Sequence, residues 1–170
     1  MSTKNNPTIV AGVGMVAFGK PGASENYDVM GEQAIREALS DSGLNFSDIE
    51  QAYAGYVYGD STCGQKVIYR VGMTGIPVFN VNNNCSTGSS ALYMARQAVE
   101  SGLVDCALAV GFEQMQPGAL GSVWDDRPSP FDDFDSSCNA IFESEAPLAL
   151  RYFGGAGKSH MDKYGTEISD

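Results

Sequence analysis

The sequence predicts an α/β fold, a mostly parallel sheet with helices on both faces. Two observations carry this. Short β-branched and aromatic runs alternate with longer segments whose apolar residues recur at helical spacing, and such alternation requires helical crossovers between parallel strands. Glycines close two of the helical segments, at Gly43 and Gly102, where left-handed backbone ends a helix.

In chain order, Thr8 to Met15 reads as a first strand. Tyr27 to Leu39 reads as a helix, with Val29, Met30, Ala34, Ile35, Ala38 and Leu39 on one face. Ala52 to Tyr58 reads as a second strand, Gln65 to Val71 as a short helix and Pro77 to Val81 as a third strand. Ala91, Leu92, Ala95, Ala98 and Val99 mark the next helix, and Ala107 to Phe112 a fourth strand. Gly12 and Gly14 do not make a dinucleotide fingerprint, because the third glycine and a directly following helix are missing. From Pro117 the character changes: Asp125, Asp126, Asp132, Asp133 and Asp135 alternate with Trp124, Pro128, Pro130, Phe131 and Phe134. That composition favours loops. A solvated acidic loop is compatible with it. No metal site is expected there, since no histidine accompanies the carboxylates and their spacing fits no calcium loop.

The candidate reactive group is Cys85. The run Ile76 to Val81 stops in Asn82, Asn83 and Asn84, and a helical stretch opens at the thiol. Open sheets present reactive groups just outside the carboxyl ends of their strands. The free N–H groups and positive end of a helix favour a thiolate, the reactive form of cysteine. A buried packing cysteine is the ordinary alternative.

The segments Gly55-Tyr56-Val57-Tyr58-Gly59-Asp60-Ser61-Thr62-Cys63-Gly64-Gln65, Gly72 to Pro77 and Val81-Asn82-Asn83-Asn84-Cys85 together resemble the sterol carrier protein 2 type of 3-ketoacyl-CoA thiolase, a branch of the thiolase superfamily. The resemblance continues through Ala95-Arg96-Gln97, Ala109 to Met115 and Ala156 to Thr166, and is weakest from Trp124 to Leu150. It implies an acyltransferase that cleaves 3-ketoacyl-CoA with CoA as co-substrate, branched-chain and sterol side-chain acyl groups being candidates. Cys85 would attack the keto carbon and carry the acyl group, its backbone N–H serving as one oxyanion donor. No permanently bound cofactor is implied, and the region from Pro117 would shape the substrate pocket.

The same resemblance takes the activating histidine and a second, acid/base cysteine from a C-terminal half. The chain's one histidine, His160, does not match that position and reads as a surface or packing residue. Cys63 matches a family position without an assigned role, Cys106 falls in a strand pattern and Cys138 in the divergent part. The implied organisation is an incomplete thiolase N-terminal domain over residues 1–116 and part of the loop region over the active site at 117–170, with the C-terminal thiolase domain absent. Such a fragment is expected to be inactive by itself. Family members are homodimers or homotetramers whose third strand lies at the interface, which places Ile76 to Val81 there.

A net charge of −11 over 170 residues disfavours nucleic acid, whose phosphates need a basic face. CoA phosphates would have to meet local bases such as Arg127, Lys158 or Lys163, or groups outside this segment. No run approaches the ~20 apolar residues of a membrane span. The first residues lack the apolar core of a signal peptide, and the reading leans to a cytoplasmic protein, with a peroxisomal one as the eukaryotic alternative. Two other classes remain: a thiolase-like aldolase, which lacks the nucleophilic cysteine, and a non-catalytic lipid-binding or partner subunit.

Overall fold

The structure, a computed structural model, describes residues 7–117, 124–141, 146 and 148–169. They belong to two compact units, 1–117 and 118–170.

The first unit runs α1 (Tyr27–Ser42), a single 3₁₀ turn at Phe46–Asp48, β1 (Gln51–Gly55), α2 (Cys63–Val71), β2 (Val78–Val81), α3 (Thr87–Glu100) and β3 (Ala107–Gly111). The strands form one parallel sheet in the order β2-β1-β3. Tyr53 on the central strand lies between Phe79 and Ala109 in register. Side chains alternate across a strand, and β1 divides accordingly. Ala52 and Ala54 pack with Leu108 and Val110 of β3 against Ile35 of α1 and Val67 and Ile68 of α2. Tyr53 faces the other way, onto Ala91, Ala95 and Ala98 of α3. The sheet therefore has helices on both faces, as the alternation of elements predicts. Burying Ile35, Val67 and Ile68, each at most 1% exposed, stabilises the first layer by about 1.5–3 kcal/mol per side chain.

α1 ends at Gly43, whose φ of 71° is left-handed and whose N–H bonds the Leu39 carbonyl. Glycine takes that conformation without a Cβ penalty. Between α1 and α2, Arg70 bonds Glu32 at 2.6 Å and Asp28 at 3.2 Å. The two guanidinium groups of Arg36 and Arg70 hold the Glu32 carboxyl below its ordinary range. These groups face solvent, so the network orients the helices more than it stabilises them.

The expected first strand is not formed. Residues 8–15 lie outside the sheet, with the Val13 N–H donating to Asp41 Oδ2 and the Met15 N–H to Glu37 Oε2, both at 2.9 Å. Gly12 and Gly14 run tight against the main chain of α1 at Ala38 and Ala34. Carboxylates of a helix thus take the amides a neighbouring strand would need, and the four expected strands become three among the described residues.

The second unit bears out the loop expectation over residues 124–131 and corrects it from Asp132 onward. It contains α4 (Asp132–Ile141) and α5 (Leu148–Tyr164). Asp132, Asp133 and Asp135 fill the first turn of α4, where negative charge meets the positive end of the helix. The Asp132 carboxylate also accepts the Ser129 N–H at 3.1 Å. An acidic, proline-flanked stretch is here a helix start.

Cys106, just before β3, gives a pH prediction. Burial first, and then the carboxylates of Glu50 and Asp48, push its thiol above the ordinary value of 9.0. A raised acid is a stabilising neutral group below the unfolded pKa, and that stability is lost as pH rises through the folded one. Urea midpoints of the wild type are therefore expected to fall above about pH 9, and Cys106→Ala to flatten part of that fall. Identical slopes in the two proteins would reject the assignment. Tyr27, pushed up to about 12, and Tyr56 and Tyr58, also raised, act in the same sense at higher pH.

Candidate active site

Between β2 and α3 the chain makes a turn held by its own side chains. Thr87, the first residue of α3 and only 4% exposed, accepts the Asn83 N–H at 2.8 Å and donates its hydroxyl to the Asn84 carbonyl at 2.5 Å. Asn82 Oδ1 accepts the Asn84 N–H at 3.1 Å, and Asn83 Nδ2 donates to Ser90 Oγ at 2.9 Å. Ser86 is the N-cap of α3, yet its hydroxyl turns back to the Asn83 carbonyl instead of capping the first turn. First-turn amides lack intrahelical acceptors, and no side chain of the cap is spent on them.

Cys85 stands immediately before that cap. Its thiol is exposed and free, with Asn84 Oδ1 3.7 Å from Sγ. Asn84 has a φ of 49°, a conformation that asparagine adopts more readily than most side chains. The expected junction of strand and helix is thus observed, with the thiol two residues ahead of the first helical residue.

Close packing at the strand ends sets this turn in place. A Cβ on Gly55, the last residue of β1, would lie 2.7 Å from Thr87 Cγ2 and 2.9 Å from the Thr87 carbonyl oxygen. The loop after β1 is fixed by Glu113, whose two carboxylate oxygens accept the N–H groups of Val57 and Tyr58, each at 3.0 Å. The Tyr58 phenol is raised by burial, then by the nearby charges of Cys85 and Glu113. Tyr27, Phe112 and Tyr56 stack in series at 5.5 and 5.2 Å, and the Tyr56 hydroxyl donates to the Asp60 carbonyl at 2.9 Å.

The loop borders an open cavity of about 410 Å³ lined by Tyr27, Tyr58, Asp60, Cys63, Lys66 and Gln114. A larger hollow of about 570 Å³ lies between residues 15–17 and α1 and includes neither Cys85 nor its turn. We assign no chemistry to it. Cys63 is buried, with the Tyr27 side chain hydrogen-bonded to it as the first cause of that phenol's rise to about 12.

The remaining candidates stay in local pairs. His160, on α5, has Nδ1 3.1 Å from Thr166 Oγ1 and its ring 4.7 Å from that of Tyr164. Of the bases considered for phosphate, Arg127 binds Asp126 through two bonds of 2.6 and 2.8 Å, Lys158 binds Asp162 at 3.0 Å, and Lys163 lies 5.0 Å from the Tyr164 ring centre. Among the described residues no group of three or more His, Cys, Asp or Glu side chains could hold a metal. No described helix is long and apolar enough to cross a membrane. Gly55 and Tyr58 were read only as part of a segment carrying the family resemblance and given no role, and Thr87 was not singled out. Glu113 lay inside a segment carrying the family resemblance, but its partners are 55 and 56 residues away.

The family model for the thiolase N-terminal domain matches residues 8–122. Sterol carrier protein 2 of Oryctolagus cuniculus is 51% identical over 94% of this chain and 30% of its own length. The non-specific lipid-transfer protein-like 2 of Caenorhabditis elegans is 43% identical over 97% of this chain and 42% of its own length. A solved structure, the 3-oxoacyl-[acyl-carrier-protein] synthase III of Aquifex aeolicus, is 24% identical over 54% of this chain and 30% of its own, with a TM-score of 0.49. The chain thus spans about a third of the length of the sterol carrier protein 2 sequences it matches. These matches overturn the cytoplasmic expectation: sterol carrier protein 2 homologues are characteristically peroxisomal, which fits the eukaryotic alternative.

Proposed function

This chain belongs to the thiolase family through its N-terminal domain, and from that premise we propose that Cys85 carries an acyl group between thiols. The observation that supports it is an exposed thiol on a turn whose other side chains mostly bond inward. The substrate class is 3-ketoacyl-CoA, with branched-chain and sterol side-chain acyl groups as candidates. The Cys85 sulfur attacks the keto carbon, a C–S bond forms, and the bond to the α-carbon breaks. Its electron pair leaves on the acyl-CoA fragment, which takes up a proton. A second CoA thiolate then attacks the acyl-cysteine and restores the Cys85 thiolate. Stabilising the oxyanion in each half is the largest demand on the site, and the Cys85 N–H is the proposed donor. Family membership implies CoA-dependent chemistry, while the residues that contact CoA are not assigned.

A second reading is a non-catalytic, lipid-binding or partner subunit. The names of the relatives, a sterol carrier protein and a lipid-transfer protein, favour it. Incubation with a fatty acyl-CoA followed by peptide mass spectrometry separates the two. An acyl adduct on Cys85 supports the transfer reading, whereas acyl-CoA held without an adduct supports the second.

Assembly is proposed to follow the same family. β2 is an edge strand of the described sheet, and Phe79 on it is 43% exposed despite stacking on Tyr53 at 5.2 Å. An apolar edge of this kind suits pairing with a second copy. Sedimentation is expected to show a dimer that Phe79→Asp dissociates. A wild type that remains monomeric at high micromolar concentration would reject this interface.

A further inference from the structure

We propose that the Asn84 side chain is a positioning residue for the Cys85 sulfur, holding the thiol through its carbonyl oxygen and the thiolate, after a half-turn of the amide, through its NH₂ group.

Three consecutive asparagines divide their work. The side chains of Asn82 and Asn83 bond the Asn84 N–H and the Ser90 hydroxyl, both inside the turn. The main chain of Asn84 is also committed, since its carbonyl accepts both the Thr87 N–H at 3.0 Å and the Thr87 hydroxyl. What remains is its side-chain amide, exposed, with Oδ1 3.7 Å from Cys85 Sγ. The left-handed φ of 49° does not itself require an amide, because glycine would adopt it more readily. The side chain therefore has a role separate from the backbone.

That role follows from the two ends of an amide. The carbonyl oxygen accepts the S–H of the neutral thiol, but it would face a negative sulfur once the proton leaves. Rotation about the last side-chain torsion exchanges the carbonyl for two N–H donors, and hydrogen bonds to a charged form favour it. The Tyr58 phenol feels the charges of Cys85 and of Glu113, whose carboxylate accepts the Tyr58 N–H at 3.0 Å, and α3 has no acidic residue in its first turn. These neighbours are unchanged by substitutions at position 84.

The test is the pH dependence of Cys85 alkylation by iodoacetamide, followed by peptide mass spectrometry on the full chain. In that reaction the sulfur bonds the methylene carbon, iodide leaves, and the thiol proton goes to buffer. Asn84→Asp keeps the size but offers only oxygens and a negative charge, so the pH of half-maximal rate is expected to rise by about one unit. Asn84→Gly keeps the left-handed backbone without the amide and is expected to shift the profile upward by less. A glycine variant whose profile superimposes on the wild type overturns the proposal, and so does an aspartate variant with no upward shift. Should Asn84→Asp fail to fold by circular dichroism, Asn84→Gly decides alone. The use of this device in catalysis rests on Cys85 being the nucleophile. Shifted profiles without acyl capture from an acyl-CoA would overturn that reading while leaving the amide and sulfur coupled.

Discussion

Replacing Cys85 by serine is expected to lower capture of an acyl group from acyl-CoA by at least about 100-fold, with little change in stability. The two halves of this expectation have different causes. A hydroxyl is a far weaker nucleophile than a thiol at neutral pH unless a base is bound to it, and the hydrogen-bond contact of the Cys85 sulfur is the Asn84 amide, which is not a base. Stability is spared because the thiol is exposed and packs against no core cluster, and surface substitutions of that kind stay within about ±0.5 kcal/mol. The other cysteines are internal controls. Cys63 is buried and Cys106 and Cys138 are half-buried, so an adduct is expected at position 85 alone. Acyl capture at the wild-type rate by Cys85→Ser would remove the nucleophile reading.

How much of this site could be read from sequence depends on the range of the interactions. Helices α1, α2 and α3 and the strands β1, β2 and β3 were legible because alternation and helical spacing are local patterns, and their observed bounds differ from the expected ones by only a few residues. The first strand failed for a physical reason. An apolar, β-branched run shows that a strand is affordable, not that a partner strand is available, and Asp41 and Glu37 bind its amides instead. The loop reading of the acidic stretch holds over residues 124–131 and fails from Asp132 for a different reason, since aspartate favours both loops and first helical turns. In the site, Cys85 was visible as a thiol at a junction. Glu113 and Gly55 were not, because their meaning lies in groups far along the chain, the Val57 and Tyr58 amides in one case and Thr87 in the other.

Gly55→Val is the substitution expected to disturb that arrangement most without touching Cys85 itself. Gly55 ends the central strand, and a Cβ there would press on both the side chain and the carbonyl of Thr87. The methyl could rotate away, but the carbonyl belongs to the first turn of α3 and cannot move alone. Thr87 is also the residue that binds Asn83 and Asn84, so the displacement passes directly to the turn presenting the thiol. Overpacking of this kind costs about 1–3 kcal/mol, and a melting temperature lower by several degrees is expected. Acyl capture should fall further than stability, by about 100-fold, because misplacing a reacting group by roughly 1 Å has that effect. Gly88→Ala is the matched control: it lies one residue beyond Thr87 on the same helix, and its Cβ would meet nothing within 4 Å. If Gly55→Val remains folded and captures acyl groups as fast as Gly88→Ala, the contact between the end of β1 and Thr87 does not position Cys85, and the rigidity of the turn must come from its asparagines alone.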